Sequence, residues 1–243
     1  NQGILYNHQG TRLISCPCKY PNTVDVTSVA ILGSYSFANC NGLRIKLREG
    51  VSFENCVFFN TENLTFRLDT NFKIIDLKEL YKANFCIDND SETMEVRDNK
   101  VLLKEVKGNP SEYNIPNGVQ EIEDNAFHNC RSLEEVTISQ FVSKVHCNVF
   151  SNCPRLRTIE VSQSNTFYKS ESNILYSFSK ERVYAVPIGL QTVALSDVID
   201  VYHGAFSNSS VQEVTFRRPN VFIREGAFNR CGRLVKIKCH NPE

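Results

Sequence analysis

The stretch Ala126-Phe127-His128-Asn129-Cys130-Arg131-Ser132-Leu133-Glu134-Glu135-Val136-Thr137-Ile138 decides the fold, because its parts return along the chain. Its first half, a phenylalanine followed by a small polar turn and cysteine, recurs as Val149-Phe150-Ser151-Asn152-Cys153 and Ala227-Phe228-Asn229-Arg230-Cys231. Ser36-Phe37-Ala38-Asn39-Cys40 is another copy. Ala205-Phe206-Ser207-Asn208-Ser209 carries serine for the thiol, and Val57-Phe58 lacks the cysteine. The spacing is 23 residues from Phe127 to Phe150, 22 from Phe206 to Phe228 and 21 from Phe37 to Phe58. Self-similarity at that period predicts a solenoid, in which each unit buries its apolar face only against its neighbours.

The second half of the stretch recurs as well. Leu133-Glu134-Glu135-Val136-Thr137-Ile138 matches Leu156-Arg157-Thr158-Ile159-Glu160-Val161, Val211-Gln212-Glu213-Val214-Thr215-Phe216 and Leu234-Val235-Lys236-Ile237-Lys238-Cys239. Alternation over the last four positions predicts a strand with apolar side chains inward and polar ones outward. An apolar pair precedes each phenylalanine: Val119 with Ile122, Val142 with Val145, Val198 with Val201, Val221 with Ile223. Each unit therefore reads as strand, turn, second extended segment and phenylalanine loop, with no room for a long helix. The expected fold is a repeat solenoid, mostly β and loop, its parallel sheet on the concave face. Residues 1–243 read as one such solenoid, irregular at about 64–92. There Leu64-Thr65-Phe66-Arg67-Leu68 keeps the strand pattern, and Ile74 to Leu80 suggests another strand packed out of phase.

A longer insert repeats too. Gly3-Ile4-Leu5-Tyr6 leading to Leu13 and Pro17 parallels Asn173-Ile174-Leu175-Tyr176 leading to Val183 and Pro187. A weaker copy runs from Met94 through Val101 to Pro116. Two short apolar runs around a polar turn predict hairpins, expected as flaps at the edge of the stack with Tyr6 and Tyr176 exposed.

These motifs resemble the BspA-type leucine-rich repeats. That unit, of about 23 residues, reads Leu-x-x-Ile-x-Ile, then Val-x-x-Ile, then Ala-Phe-x-x-Cys, and the Asn-x-Leu-Tyr insert is typical of the family. The resemblance covers residues 1–60 and 93–239 clearly. It implies an extracellular or cell-surface protein of gut or oral bacteria, or of certain parasitic protozoa. It also implies adhesion, with a protein or glycan partner such as host extracellular matrix. No catalytic residues carry over. The chain shows no polar end caps, as expected of a piece or mature part of a longer chain.

Composition fits this reading. Lysine plus arginine equals aspartate plus glutamate at 27 each, so no general attraction to nucleic acid is expected. No run reaches the roughly 20 apolar residues of a membrane-spanning helix. Phosphate-binding glycine loops, nucleophile elbows and zinc-binding helices are missing, and no cofactor is expected. His146 beside Cys147, and His128 near Cys130, suggest a nucleophile pair, but neighbours on an extended segment point to opposite faces. The alternative reading is an enzyme or metal protein with its site built by the hairpin inserts. Cys16-Pro17-Cys18 lacks the spacing of a zinc knuckle. Of the ten cysteines, Cys40, Cys130, Cys153 and Cys231 are expected as buried, reduced thiols filling a narrow corner. Phe37, Phe127, Phe150, Phe206 and Phe228 are expected to form one buried column.

Binding is expected on the outward strand residues. From the alternation these are Arg44, Lys46, Arg48 and Arg67, then Glu135, Thr137, Thr158, Glu160, Glu213 and Thr215, then Arg217, Lys236 and Lys238. Charge along them runs basic, acidic, basic. A plainly solvated face accounts for the same residues equally well.

Overall fold

The computed structural model describes residues 3–19, 23–48, 50–68, 85–88, 90–98 and 100–239. The chain divides into two compact units, Asn1–Leu102 and Leu103–Glu243. Each is a β-solenoid, and no helix occurs among the described residues. The strand expected at Ile74 to Leu80 lies outside them.

In the first unit, strands Thr23–Asp25, Arg44–Leu47 and Leu64–Leu68 pair in parallel, one per turn. A second, shorter ladder joins Arg12–Ser15, Ile31–Leu32 and Ser52–Phe53, also in parallel. Val24, Ile45 and Phe66 from the first ladder are fully buried, as are Leu13 and Leu32 from the second. The core therefore lies between the two ladders, which is what the alternation in sequence requires. Phe85–Asp88 continues the first ladder and then turns back on Glu92–Arg97 in antiparallel register.

The second unit repeats the plan. Glu112–Asn114, Glu135–Ile138 and Thr158–Val161 form one parallel sheet. Thr192–Leu195, Glu213–Phe216 and Lys236–Cys239 form another. The expected continuous concave sheet is thus two separate three-stranded sheets here. The break falls where the hairpin insert enters the stack.

That hairpin is no flap. Ile174–Ser177 pairs antiparallel with Arg182–Ala185, which pairs in parallel with Asp200–Val201 and so occupies one turn of the second ladder. Leu175 and Val183 are fully buried and Tyr176 is 8% exposed, so Tyr176 is a core residue and not a surface aromatic. The first insert behaves alike: Leu5–Tyr6 folds onto Arg12–Ser15, whose other edge pairs with Ile31–Leu32. Tyr6 is half-buried.

The phenylalanine turn has a local cause. The residue before the motif's cysteine, or before Ser209 in its place, takes a left-handed backbone, with φ of 59° at Asn39, 66° at Asn129, 56° at Asn152, 61° at Asn208 and 56° at Arg230. Asparagine tolerates that region better than other side chains with a Cβ, which explains its place in the motif. The cysteine then donates to the preceding turn. Cys40 Sγ reaches the carbonyl oxygen of Cys16 at 3.6 Å, Cys130 that of Val106 at 3.8 Å, Cys153 that of Phe127 at 3.0 Å and Cys231 that of Phe206 at 2.9 Å. A thiol is therefore a weak donor between turns as well as a small apolar filler. Cys40, Cys130 and Cys153 are buried; Cys231 is half-buried, short of the expected burial.

The phenylalanines do not form one column. Phe37, Phe127 and Phe206 are fully buried, whereas Phe150 and Phe228 are half-buried. Rings meet in pairs: Phe37 with Phe58 at 5.4 Å, Phe127 with Phe150 at 5.1 Å and Phe206 with Phe228 at 4.6 Å. Where a hairpin supplies the turn, a smaller residue holds the phenylalanine's place. The amide of Val186 donates to Ala205 as that of Phe127 donates to Val149, and Cys16 and Val106 do the same toward Ser36 and Ala126. Phe150 therefore looks onto Val186 across a cavity of about 20 Å³, room for about one water.

Candidate functional site

The outward residues of the parallel strands come together in rows, because parallel pairing in register places equivalent side chains side by side. In the first unit Asp25, Lys46 and Arg67 form one row, and Thr23, Arg44 and Thr65 the next. Arg44 and Arg67 are exposed and Lys46 is half-buried. The structure thus brings the three basic candidates onto two adjacent strands. It also supplies carboxylates: Asp25 lies 3.7 Å from Lys46, and Asp90 lies 2.7 Å from Arg67. Hydrogen bonds from Thr27, with help from Lys46, hold the Asp25 carboxyl below its ordinary pKa. Arg48 leaves the row to place its Nε 3.4 Å from the Val29 carbonyl. The face is a mixed-charge strip, less basic than the sequence pattern suggested.

In the second unit Glu112, Glu135 and Thr158 align, as do Asn114, Thr137 and Glu160. Thr192, Glu213 and Lys236 form a row in the other sheet, beside Ala194, Thr215 and Lys238. Lys236 and Lys238 are exposed, and Lys238 forms an ion pair with Glu213 on the neighbouring strand. That contact, led by its hydrogen bond, holds the Glu213 carboxyl below its ordinary value. Glu135 and Glu160 thus sit on a different sheet from Lys236 and Lys238.

Sequence reasoning missed a polar cluster on the second ladder. Asp200, only 8% exposed, accepts hydrogen bonds from Arg182 at 2.5 Å and from Arg224 at 2.9 Å. Both guanidiniums lie over the Tyr202 ring, at 5.5 and 5.6 Å from its centre. Burial pushes the Asp200 carboxyl up, but the Arg224 and Arg182 hydrogen bonds outweigh it and its pKa ends below the ordinary range. Tyr184 meets Tyr168 edge to face at 5.1 Å and Tyr202 at a tilt at 4.9 Å beside them. Tyr168 Oη accepts the amide of Val145 at 2.8 Å, so the hairpin is tied to the preceding turn. The spaced Tyr184 and Tyr202, with Arg182 and Arg224 flanking them, were the available signal.

The Cys–His neighbours are engaged apart. His146 Nε2 lies 3.3 Å from Glu121, while Cys147 Sγ lies 3.9 Å from Tyr202 Oη. His128 Nδ1 lies 2.7 Å from Ser151 Oγ, while Cys130 faces the Val106 carbonyl. Neither pair has the mutual contact a nucleophile and its base need. Among the described residues no cluster of three histidine, cysteine or carboxylate groups has metal-binding geometry, and no helix is long and apolar enough to cross a membrane.

A model of the BspA-type leucine-rich repeat region matches six copies over residues 16–92 and 106–234. No curated protein matches the chain. Among solved structures, a leucine-rich repeat protein from Eubacterium ventriosum is 17% identical, with a TM-score of 0.48, covering 90% of this chain and 60% of that one. The pneumococcal vaccine antigen PcpA is 14% identical, with a TM-score of 0.46, covering 94% of this chain and 54% of its own. A leucine-rich cell surface protein from Faecalibacterium prausnitzii is 18% identical, with a TM-score of 0.41 and coverage of 93% and 81%. The chain spans less than two thirds of the first two.

Proposed function

Since the chain belongs to the BspA-type leucine-rich repeat family, we propose that it is a non-enzymatic binding module that holds a protein on its outward strand faces. The observation that supports this reading most is the in-register row Asp25, Lys46 and Arg67 with its neighbour Thr23, Arg44 and Thr65. Parallel pairing fixes the spacing of these groups on a rigid sheet, so a partner's charges meet preset positions and little order is lost on docking. The finer reading is an extracellular or surface-attached adhesin whose partner is a host matrix protein or glycan. The hairpin inserts, the site of the alternative enzyme reading, turn Leu13, Leu175, Tyr176 and Val183 into the core and leave Leu5, Ile14 and Phe178 exposed.

The test is binding of the chain to immobilised matrix proteins and glycans, compared with Arg44→Glu/Lys46→Glu/Arg67→Glu. The expected result is at least tenfold weaker binding by the variant, steepening at low salt because exposed charges are screened over a Debye length of about 8 Å at physiological strength. Equal affinity in both chains removes this face as the site.

A further inference from the structure

Cys18 is not one of the cysteines of the phenylalanine turn. Cys16 stands where the regular turns carry phenylalanine, and its amide donates to Ser36 at 2.7 Å. Cys40 is the repeat thiol of the following turn, donating to the Cys16 carbonyl. Cys18 is neither, and it is exposed. Its Sγ nonetheless lies 3.6 Å from the carbonyl oxygen of Ala38, and Cys40 Sγ lies 3.7 Å from that same oxygen. Two thiols on adjacent turns thus share one acceptor atom, one at the surface and the other completely buried. Cys16 also lies within hydrogen-bonding reach of Cys40.

We propose that Cys18 and Cys40 form a dithiol site that reacts with low-molecular-weight disulfides and closes into a disulfide linking two turns of the solenoid. The Cys18 thiolate attacks one sulfur of the small disulfide, expels one thiolate and is left as a mixed disulfide. Cys40 loses its proton to water, attacks the Cys18 sulfur and expels the second thiolate. Two protein thiols are oxidised by two electrons, and one external disulfide is reduced to two thiols. The order of events follows from exposure, since only Cys18 meets a disulfide in solution. Burial, with the neighbouring thiols, pushes the Cys40 pKa up to about 12. Its thiolate is scarce at neutral pH, and closure gains about tenfold in rate per pH unit below that value. In the reduced chain both thiols point at the one Ala38 carbonyl, so the two sulfurs start side by side and the second step is intramolecular.

The test treats the reduced full chain with glutathione disulfide, alkylates the remaining thiols and maps the products by tandem mass spectrometry. Two of the ten thiols are expected in a Cys18–Cys40 cross-link. The exposed Cys56 and Cys239 serve as internal controls that stop at the glutathione adduct. Cys16→Ser should keep the cross-link and Cys18→Ser should lose it, while Cys40→Ala should leave Cys18 as a stable adduct. Cys16 and Cys18 fall in one tryptic peptide, but fragment ions across Pro17 separate them in the wild type, so the assignment survives if a variant fails to fold. A wild-type chain in which Cys18 carries glutathione without a cross-link, or joins Cys16, overturns the proposal.

Discussion

Within the second unit, the turn at Phe127 and the turn built by the hairpin fill the same kind of slot by different means. The regular turn brings a fully buried phenylalanine, a cysteine that donates to the turn before it and an asparagine at positive φ. The hairpin turn brings Val186 in the phenylalanine's place and makes up the volume with Leu175, Tyr176 and Val183 from its two strands. It is then fastened by polar contacts to the turns on either side: Tyr168 to Val145, and Arg182 with Arg224 to Asp200. A solenoid slot is thus defined by one parallel pairing and one apolar plug, not by a fixed sequence. The cost of the exchange is visible at Phe150, half-buried beside the cavity under Val186.

The largest expected effect separates the two kinds of turn. Phe127→Ala should destabilise the chain by about 3–5 kcal/mol, the usual cost of emptying a packed aromatic site. Phe150→Ala should cost clearly less, because its ring is partly solvated and its site already holds a void. Urea unfolding with unchanged m-values measures both. Equal losses would break the distinction drawn between the turns.

The polar fastening of the hairpin comes next. Asp200→Ala strands two guanidiniums and should cost about 1.5–3 kcal/mol, the range for hydrogen bonds to charged groups. The folded Asp200 pKa lies below its unfolded value. Its contribution is therefore complete above about pH 4 and disappears as the pH falls through the folded value. Melting temperatures of the wild type against Asp200→Asn should converge below that point, and a constant gap down to low pH would assign the stability elsewhere. Tyr168→Phe is milder: it deprives the Val145 amide of its acceptor, at a cost of about 1 kcal/mol. Hydrogen exchange at that amide should rise while the amide of Phe127 keeps its protection; unchanged exchange at Val145 would count against the tie.

Much of this was legible in the chain. The phenylalanine period and the strand alternation predict the two ladders, and the repeated Asn-x-Leu-Tyr phrase predicts the antiparallel hairpins. What escaped was the hairpins' place in the stack. Val186, Val106 and Cys16 share no side-chain identity with the phenylalanine they stand for, and the position is set by a backbone hydrogen bond that no residue pattern records. Pro17 and Pro187, each just after its plug, were the only marker. For the same reason the sheet break between Thr158–Val161 and Thr192–Leu195 could not be read, since pairing there depends on how the hairpin enters. Of the candidate binding residues, alternation gave the outward direction, but the partners Asp25 and Asp90 follow from register and loop geometry.

The outward face should contribute least to stability. Arg44→Glu/Lys46→Glu/Arg67→Glu is expected to shift unfolding by only about 0.5 kcal/mol per site, as exposed substitutions usually do. The direct measurement of the central claim is therefore affinity in that same variant, read by surface plasmon resonance on a panel of extracellular-matrix proteins and glycans at matched thermal stability. The account predicts that the wild-type chain binds at least one component and that the variant binds it at least tenfold more weakly. A wild-type chain that binds nothing on the panel, or a variant that binds as tightly, contradicts it.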